Sequence, residues 1–235
     1  MKKYEKILCC AGIMVTIMII FQTGALASDW KIIGAADGII GYTKNCGENG
    51  FQAVRAVGMI DAPVAVIEAV LRDVPSSPEL VFKCKSADFV NAPNFKNTPD
   101  SFHIYMVTAM PFPLNDRDGV HLHKYSIDKT SGTIYLHIEA IKTDYKLTKD
   151  MVRVSAMKGD YVLVPKGVSQ TEVTFTSMGD PGGSIPIFIT DLFTKNLGIK
   201  TIASLRTMVC KDKYKNIKTI ITTTSHVECK DARND

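Results

Sequence analysis

Between Cys84 and Ser177 the sequence passes through one β-patterned stretch after another, and most of the joins are too short for anything but antiparallel neighbours. The stretches are Cys84–Asn91, Phe102–Ala109, Gly119–Ile127, Thr133–Ile141, Val152–Lys158, Tyr161–Val164 and Gln170–Ser177. The joins mostly contain Gly, Asp or Lys, and "DKTSG", "KGD" and "PKG" read as turns. Parallel neighbours would need crossovers of about a dozen residues or more. The chain is therefore committed to a large antiparallel sheet.

Upstream, "GIIGYTKNCGENGFQAVRAVGMI" predicts a hairpin, with Asn49-Gly50 supplying the positive φ angles of a tight turn. This brings the sheet to about nine strands. Trp30–Ala36 before it reads as a short helix-like start. Asp61 is placed to cap a helix with Pro63 in its first turn and Val66, Ile67, Val70 and Leu71 on its apolar face; Pro75 and Pro78 end it. Downstream of "TEVTFTS", the segment "GDPGGSIPIF" turns the chain from strand to helix. The helix is expected over 186–215, with Pro186 in its first turn, where a missing N–H is harmless. Phe188, Leu192, Ile199, Ile202, Leu205 and Val209 are spaced to share one face, and Gly198 marks a possible kink. One long amphipathic helix after a large antiparallel sheet is an α+β arrangement in which the sheet curves around the helix.

The first residues read as a signal peptide rather than as part of the fold. Lys2, Lys3 and Lys6 precede an uncharged apolar run from Ile7 to Phe21, and Ala25-Leu26-Ala27 offers a small-residue cleavage site. Fifteen apolar residues are short for a membrane span, which needs about twenty. The expected division is residues 1–27 as signal peptide, 28–218 as one domain and 219–235 as a tail. The protein is then exported, to the periplasm or beyond. Cleavage removes three lysines and one glutamate, so the net charge of +4 falls to +2. A charge so near neutral gives no footprint for nucleic acid. A hydrophobic fraction of 46% argues against disorder.

Four cysteines follow the leader, Cys46, Cys84, Cys210 and Cys229, and an oxidising compartment permits disulfides. A Cys210–Cys229 bond would tether the polar tail; buried free thiols are the alternative. No CxxC or Cys/His cluster is present, and neither a metal nor a cofactor is expected.

Four stretches together resemble the START (steroidogenic-acute-regulatory-related lipid-transfer) domain family. They are the Trp-then-hairpin opening, "PFPLNDRDGV" at Pro111–Val120, "MVRVSAMKGDYVLVP" at Met151–Pro165, and "GDPGGSIPIF" at Gly179–Phe188. The resemblance runs from Trp30 to about Lys215. It implies a helix-grip fold, in which a curved antiparallel sheet grips the C-terminal helix with a hydrophobic tunnel between them.

Period-two alternation puts Arg117, Gly119, His121 and His123 on one strand face, and Asp118, Val120 and Leu122 on the other. By resemblance, the face bearing Arg117 looks into the tunnel, and Gly119 leaves space where relatives often carry an aromatic residue. A salt bridge from Arg117 to Asp116 and ordinary structural roles for the two histidines are the competing readings. In many sterol-type members a basic residue stands at the position of His123, with an acidic partner on the next strand. Here that strand, "SFHIYMVTAM", has no acid. The expected ligand-binding set is Tyr105, Arg117, His121, His123, Phe188, Leu192, Ile199 and Ile202. "KTDYKLTKD" occupies the position of the family's gating loop, so Lys142, Tyr145, Lys146, Leu147 and Lys149 are the expected membrane-facing gate. Seven basic residues between Lys195 and Lys218, against only Asp212, offer a second surface for transient membrane contact. The expected partner is a lipid or another hydrophobic small molecule, carried by a monomer. A cyclase- or hydrolase-like enzyme on the same fold and a lipid-sensing module are the alternatives, although no nucleophile elbow, metal signature or paired acid is present.

Overall fold

The computed structural model describes residues 29–46 and 52–217. Ten strands are present among these residues: β1 Lys31–Ala36, β2 Ile39–Asn45, β3 Gln52–Ile60, β4 Cys84–Phe89, β5 Ser101–Thr108, β6 Arg117–Ile127, β7 Ile134–Ile141, β8 Val152–Arg153, β9 Ala156–Pro165 and β10 Thr171–Asp180. The helices are α1 Val64–Arg72, the single turn α2 Ser77–Leu80, and α3 Ile187–Met208. Nine strands form one curved antiparallel sheet in the order β1-β2-β3-β10-β9-β7-β6-β5-β4. The short β8 pairs in parallel with the start of β6, Arg117 opposite Val152 and Asp118 opposite Arg153. The sheet wraps around α3, which is the helix-grip arrangement.

The residues 31–36 are a strand, not a helical start. Asp37 and Gly38, at φ 50° and 70°, make a two-residue hairpin turn that lays β1 against β2. The β2–β3 hairpin is present, while its Asn49-Gly50 turn lies outside the described residues. "KGD" is not a turn either: β9 runs unbroken through Lys158-Gly159-Asp160, with Gly159 paired to Ser177 on one side and Ile138 on the other. Asp61 does not cap α1. Pro63 stands at its N-cap without a side-chain bond, and the Asp61 carboxylate accepts from Gln170 instead.

The main core lies between α1, α3 and the concave face of β3, β7, β9 and β10, where Ile60, Ile67, Leu136, Leu163, Ile202 and Leu205 are almost wholly buried. The short 3₁₀ turn after α3 is moored to the segment following α1, because Tyr214 and Lys213 both bond the Asp73 carboxylate at 2.7 Å. Lys211 pairs with Glu79 and Lys215 with Asp212, so three charges of the basic C-terminal stretch already have partners. Cys46 and Cys84 are free thiols. The expected Cys210–Cys229 bond involves a residue outside the described ones, as do the signal peptide and the tail.

Candidate functional site

The helix α3 touches the sheet closely along only half its length. At Gly198 a methyl group would stand 2.8 Å from Cβ of Ala56, so only glycine permits this approach. Gly198 is thus a contact point within a continuous helix. One residue on, Ile199 reaches over Gly41, where a Cβ would meet it at 2.9 Å. Arg206 fastens the far end by donating to the carbonyls of Met59 and Asp37. The N-terminal half of α3, by contrast, stands over a cavity of about 730 Å³. That volume suits a small-molecule site.

The walls are mostly apolar. Met106, Leu136, Ile138, Met157, Tyr161 and Phe175 come from the sheet, and Ile189, Phe193 and Leu197 from α3 at successive helical turns. Leu80 and Phe82, around the end of α2, close one side, and Phe82 meets Phe193 edge-on with ring centres 5.6 Å apart.

Four consecutive same-face positions of β6, Arg117, Gly119, His121 and His123, line the cavity as the alternation predicts. Arg117 is 5% exposed and makes no ion pair among the described residues; Asp116 pairs with Lys85 at 2.9 Å. Its guanidinium donates to three backbone carbonyls: Asn115 at 2.6 Å, Gly182 at 3.0 Å and Pro181 at 3.3 Å. Burial draws its pKa below the usual guanidinium value. Gly182 and Gly183, at φ 71° and 68°, supply the left-handed turn that presents the carbonyls of Pro181 and Gly182. Asp-Pro-Gly-Gly is therefore both the reversal into α3 and the seat of a buried cation.

His121 and His123 are each 6% exposed. The His121 ring leans back over Gly119, where a Cβ would lie 2.7 Å from its Nε2. The space left by Gly119 is thus occupied by an imidazole rather than open. Phe102 stacks on His123 with centres 5.6 Å apart. Among the described residues, neither Nε2 of His121 nor either ring nitrogen of His123 has a hydrogen-bond partner. Burial pushes the His121 pKa down to about 4, helped by the positive charge of Arg153. It pushes His123 to about 3, helped by His121 and His103. Both rings are neutral at physiological pH. Among the described residues no group of three His, Cys, Asp or Glu gathers to hold a metal ion.

The opposite face of the same strands carries a separate cluster. Tyr105, Val107 and Val120 pack with Val90 under Phe95, Tyr145 and Met151. At its edge the buried Asp118 carboxylate receives Arg153 in a two-pronged pair at 2.8 and 3.0 Å, and the Tyr105 hydroxyl at 3.0 Å. Burial and this carboxylate raise the Tyr105 pKa to about 12. Arg153 also donates to the carbonyls of Thr143 and Tyr145, so it pins the 142–150 segment to this outer face.

These positions sort the residues expected from sequence. Arg117, His121 and His123 meet at the cavity, but Tyr105 faces the other way, because its register opposite Val120 puts it on the outer side. Phe188 and Leu192 point to solvent, 69% and 42% exposed. Ile199 and Ile202 pack against the glycines of β1–β3 and not against the cavity. The helical row that faces the cavity is Ile189, Phe193 and Leu197, shifted by one position from the expected stripe. Lys142, Tyr145, Lys146, Leu147 and Lys149 do not line the cavity either. The Lys146 ammonium sits over the rings of Tyr105 and Tyr145, at 5.0 and 5.6 Å from their centres. Residue spacing does not reveal the pairing of Arg153 with Asp118, although the two residues lie in stretches that carry the family resemblance.

No protein-family model matches the chain. An uncharacterised protein of Pseudomonas aeruginosa is 32% identical over 182 residues, which are 77% of this chain and 87% of that protein. The phosphatidylcholine transfer protein of Mus musculus is 22% identical, over 82% of this chain and 87% of its own length. Among solved structures, a STAR-related lipid transfer protein from Xanthomonas axonopodis superposes with a TM-score of 0.69 at 26% identity, covering 78% of this chain and 99% of that one. With a sheet gripping a helix over an apolar cavity, and these relatives beside it, the chain belongs to the START lipid-transfer family.

Proposed function

We propose that the protein takes a single amphipathic lipid into the cavity beneath the N-terminal half of α3 and carries it, chemically unaltered, through the aqueous space outside the cytoplasmic membrane. The observation that carries this reading is the combination of an apolar cavity of about 730 Å³ with one buried, ion-unpaired guanidinium at its end. Each methylene withdrawn from water gains about 0.8 kcal/mol, so a single acyl chain suffices for retention. Arg117 keeps N–H donors beyond the three engaged with carbonyls, and they suit an anionic or strongly polar lipid end. The lipid-transfer names of the bacterial and mouse relatives support the same reading. Export rests on the basic, apolar and small-residue sequence of the leader.

Exchange with a bilayer takes place at the apolar rim of the cavity in this reading. Phe112 is 97% exposed on the loop that Arg117 ties to the Asp-Pro-Gly-Gly turn, and Phe188 and Leu192 project from the first turns of α3. Three large apolar side chains beside a lipid-sized cavity favour the membrane surface as docking partner. The test is movement of a fluorescent phospholipid between donor and acceptor vesicles. The wild-type protein is expected to speed transfer, and Phe112→Asp combined with Phe188→Asp is expected to slow it at least tenfold. Absence of any transfer or uptake by the wild-type chain would overturn the carrier reading.

A further inference from the structure

His121 and His123 present a chemical question that a plain hydrocarbon ligand does not answer. Buried polar groups in proteins nearly always have partners, and each one left without costs about 1–3 kcal/mol. Here three imidazole nitrogens are left without among the described residues, on two adjacent same-face residues that both line the cavity. Leu136 and Ile138 of the cavity wall, and Phe102 stacked on His123, offer no donor or acceptor side chain, and the hydroxyl of Tyr125, the next residue on the same face, is itself buried without a partner among the described residues. The strand is also built to hold these rings in place, since Gly119 gives His121 room to lie against the backbone and Phe102 stacks on His123.

We infer that the cavity is made for a lipid carrying a hydroxyl part-way along its buried chain, hydrogen-bonded by His121 and His123. The inference rests on the carrier reading above and specifies its ligand. A neutral imidazole offers one donor and one acceptor, and a hydroxyl is the simple group that uses both. The burial that holds both rings neutral disfavours a second anionic group at this depth, because an anion is best met by imidazolium. A carbonyl engages only the donors. Position along the strand sets the spacing: His121 and His123 lie four and six residues beyond Arg117, roughly 13 and 20 Å at the strand rise. With its charged end at Arg117, a lipid meets the histidines well down its chain and not beside its head.

The experiment measures binding of three acids of equal chain length to the full-length protein by displacement of a fluorescent fatty acid. The probes are stearate, 2-hydroxystearate and 12-hydroxystearate. The first lacks the hydroxyl, the second carries it beside the carboxylate, and the third carries it mid-chain. The wild-type protein is expected to bind 12-hydroxystearate about tenfold more tightly than stearate, as one to two net hydrogen bonds imply. It is expected to show no such preference for 2-hydroxystearate. In His121→Leu/His123→Leu the ratio of the two affinities should fall from about ten to about one, and His123→Asn should restore part of it. Should the double variant not fold, the three probes on the wild-type chain decide the matter alone. Equal wild-type affinity for stearate and 12-hydroxystearate, or an equal gain from the 2-hydroxy acid, overturns the inference and leaves the carrier reading standing. Uptake of phospholipid from vesicles without binding of any of the acids also overturns it. Failure to take up any lipid removes both.

Discussion

Arg117 donates through Nη2 to the carbonyl of Gly182 at 3.0 Å, joining the first residue of β6 to the turn that begins α3. With its bonds to Pro181 and Asn115, this one side chain holds together the two loops beside the cavity. Arg117→Met removes three charge-assisted donors and leaves their carbonyls short of partners, at an expected cost of about 2–4 kcal/mol. Urea unfolding measures that cost. Amide exchange should speed up in 180–184 well before it does in β9. A loss below about 0.5 kcal/mol would mean that the guanidinium does not hold this turn.

On the outer face, Asp118 and Arg153 form a pair whose side chains are 1% and 11% exposed. Removing one partner strands the other charge, so Asp118→Ala is expected to cost about 3–5 kcal/mol. The loosening should concentrate in 142–153, because Arg153 anchors that segment through the carbonyls of Thr143 and Tyr145. Hydrogen exchange resolved by residue checks this. Uniform loosening of the whole sheet would contradict a local anchor.

Gly198→Ala sets two effects against each other. Alanine improves helix propensity by about 1 kcal/mol. Its methyl group, however, would stand 2.8 Å from Cβ of Ala56, and overpacking costs about 1–3 kcal/mol. Net destabilisation is expected by thermal melting. A rise in Tm would show that α3 is free to shift away from β3.

Much of this architecture was legible in the residues. The alternation of Thr171–Ser177 places β10, because one face packs on the core and the other does not. The positive-φ demand of the turn is visible in Gly182-Gly183. The strand 31–36 was not legible, since Gly34-Ala35-Ala36 lacks β-branched residues and gains its conformation by pairing with β2. Gly159 misleads in the same way: Lys-Gly-Asp has turn composition, but here the glycine lies mid-strand along the cavity wall. The face of α3 was ambiguous because apolar residues occupy both sides. Ile189, Phe193 and Leu197 line the cavity, while Phe188 and Leu192 face solvent. Tyr105 required the β5–β6 register, which composition does not supply. One step along a strand reverses the face.

Stability should fall as the solution is acidified through the histidine range. In the unfolded chain His121 and His123 titrate near 6.5; in the folded protein they titrate at about 4 and about 3. Between these values the unfolded state binds more protons, so stability is retained above pH 6.5 and lost as the pH falls. From pH 6.5 to pH 4 the loss is about 3 kcal/mol per imidazole. Urea midpoints across this range measure it. His121→Leu/His123→Leu should flatten most of the slope, and an unchanged slope in that variant would show that these rings are not the source.

The most direct measurement is the number of lipid molecules bound per chain, read by native mass spectrometry after incubation with phospholipid vesicles and removal of the vesicles. Ile138→Trp and Leu197→Trp place an indole into the cavity from the sheet and from the helix, at a stability cost of about 1–3 kcal/mol that circular dichroism monitors. Ile199→Trp, on the side of α3 packed against β1–β3, serves as the comparison outside the cavity. The wild-type chain is predicted to retain one lipid, and the two cavity variants close to none while folded. A wild-type chain that retains no lipid, or folded cavity variants that retain as much as wild type, would contradict a lipid site beneath the N-terminal half of α3.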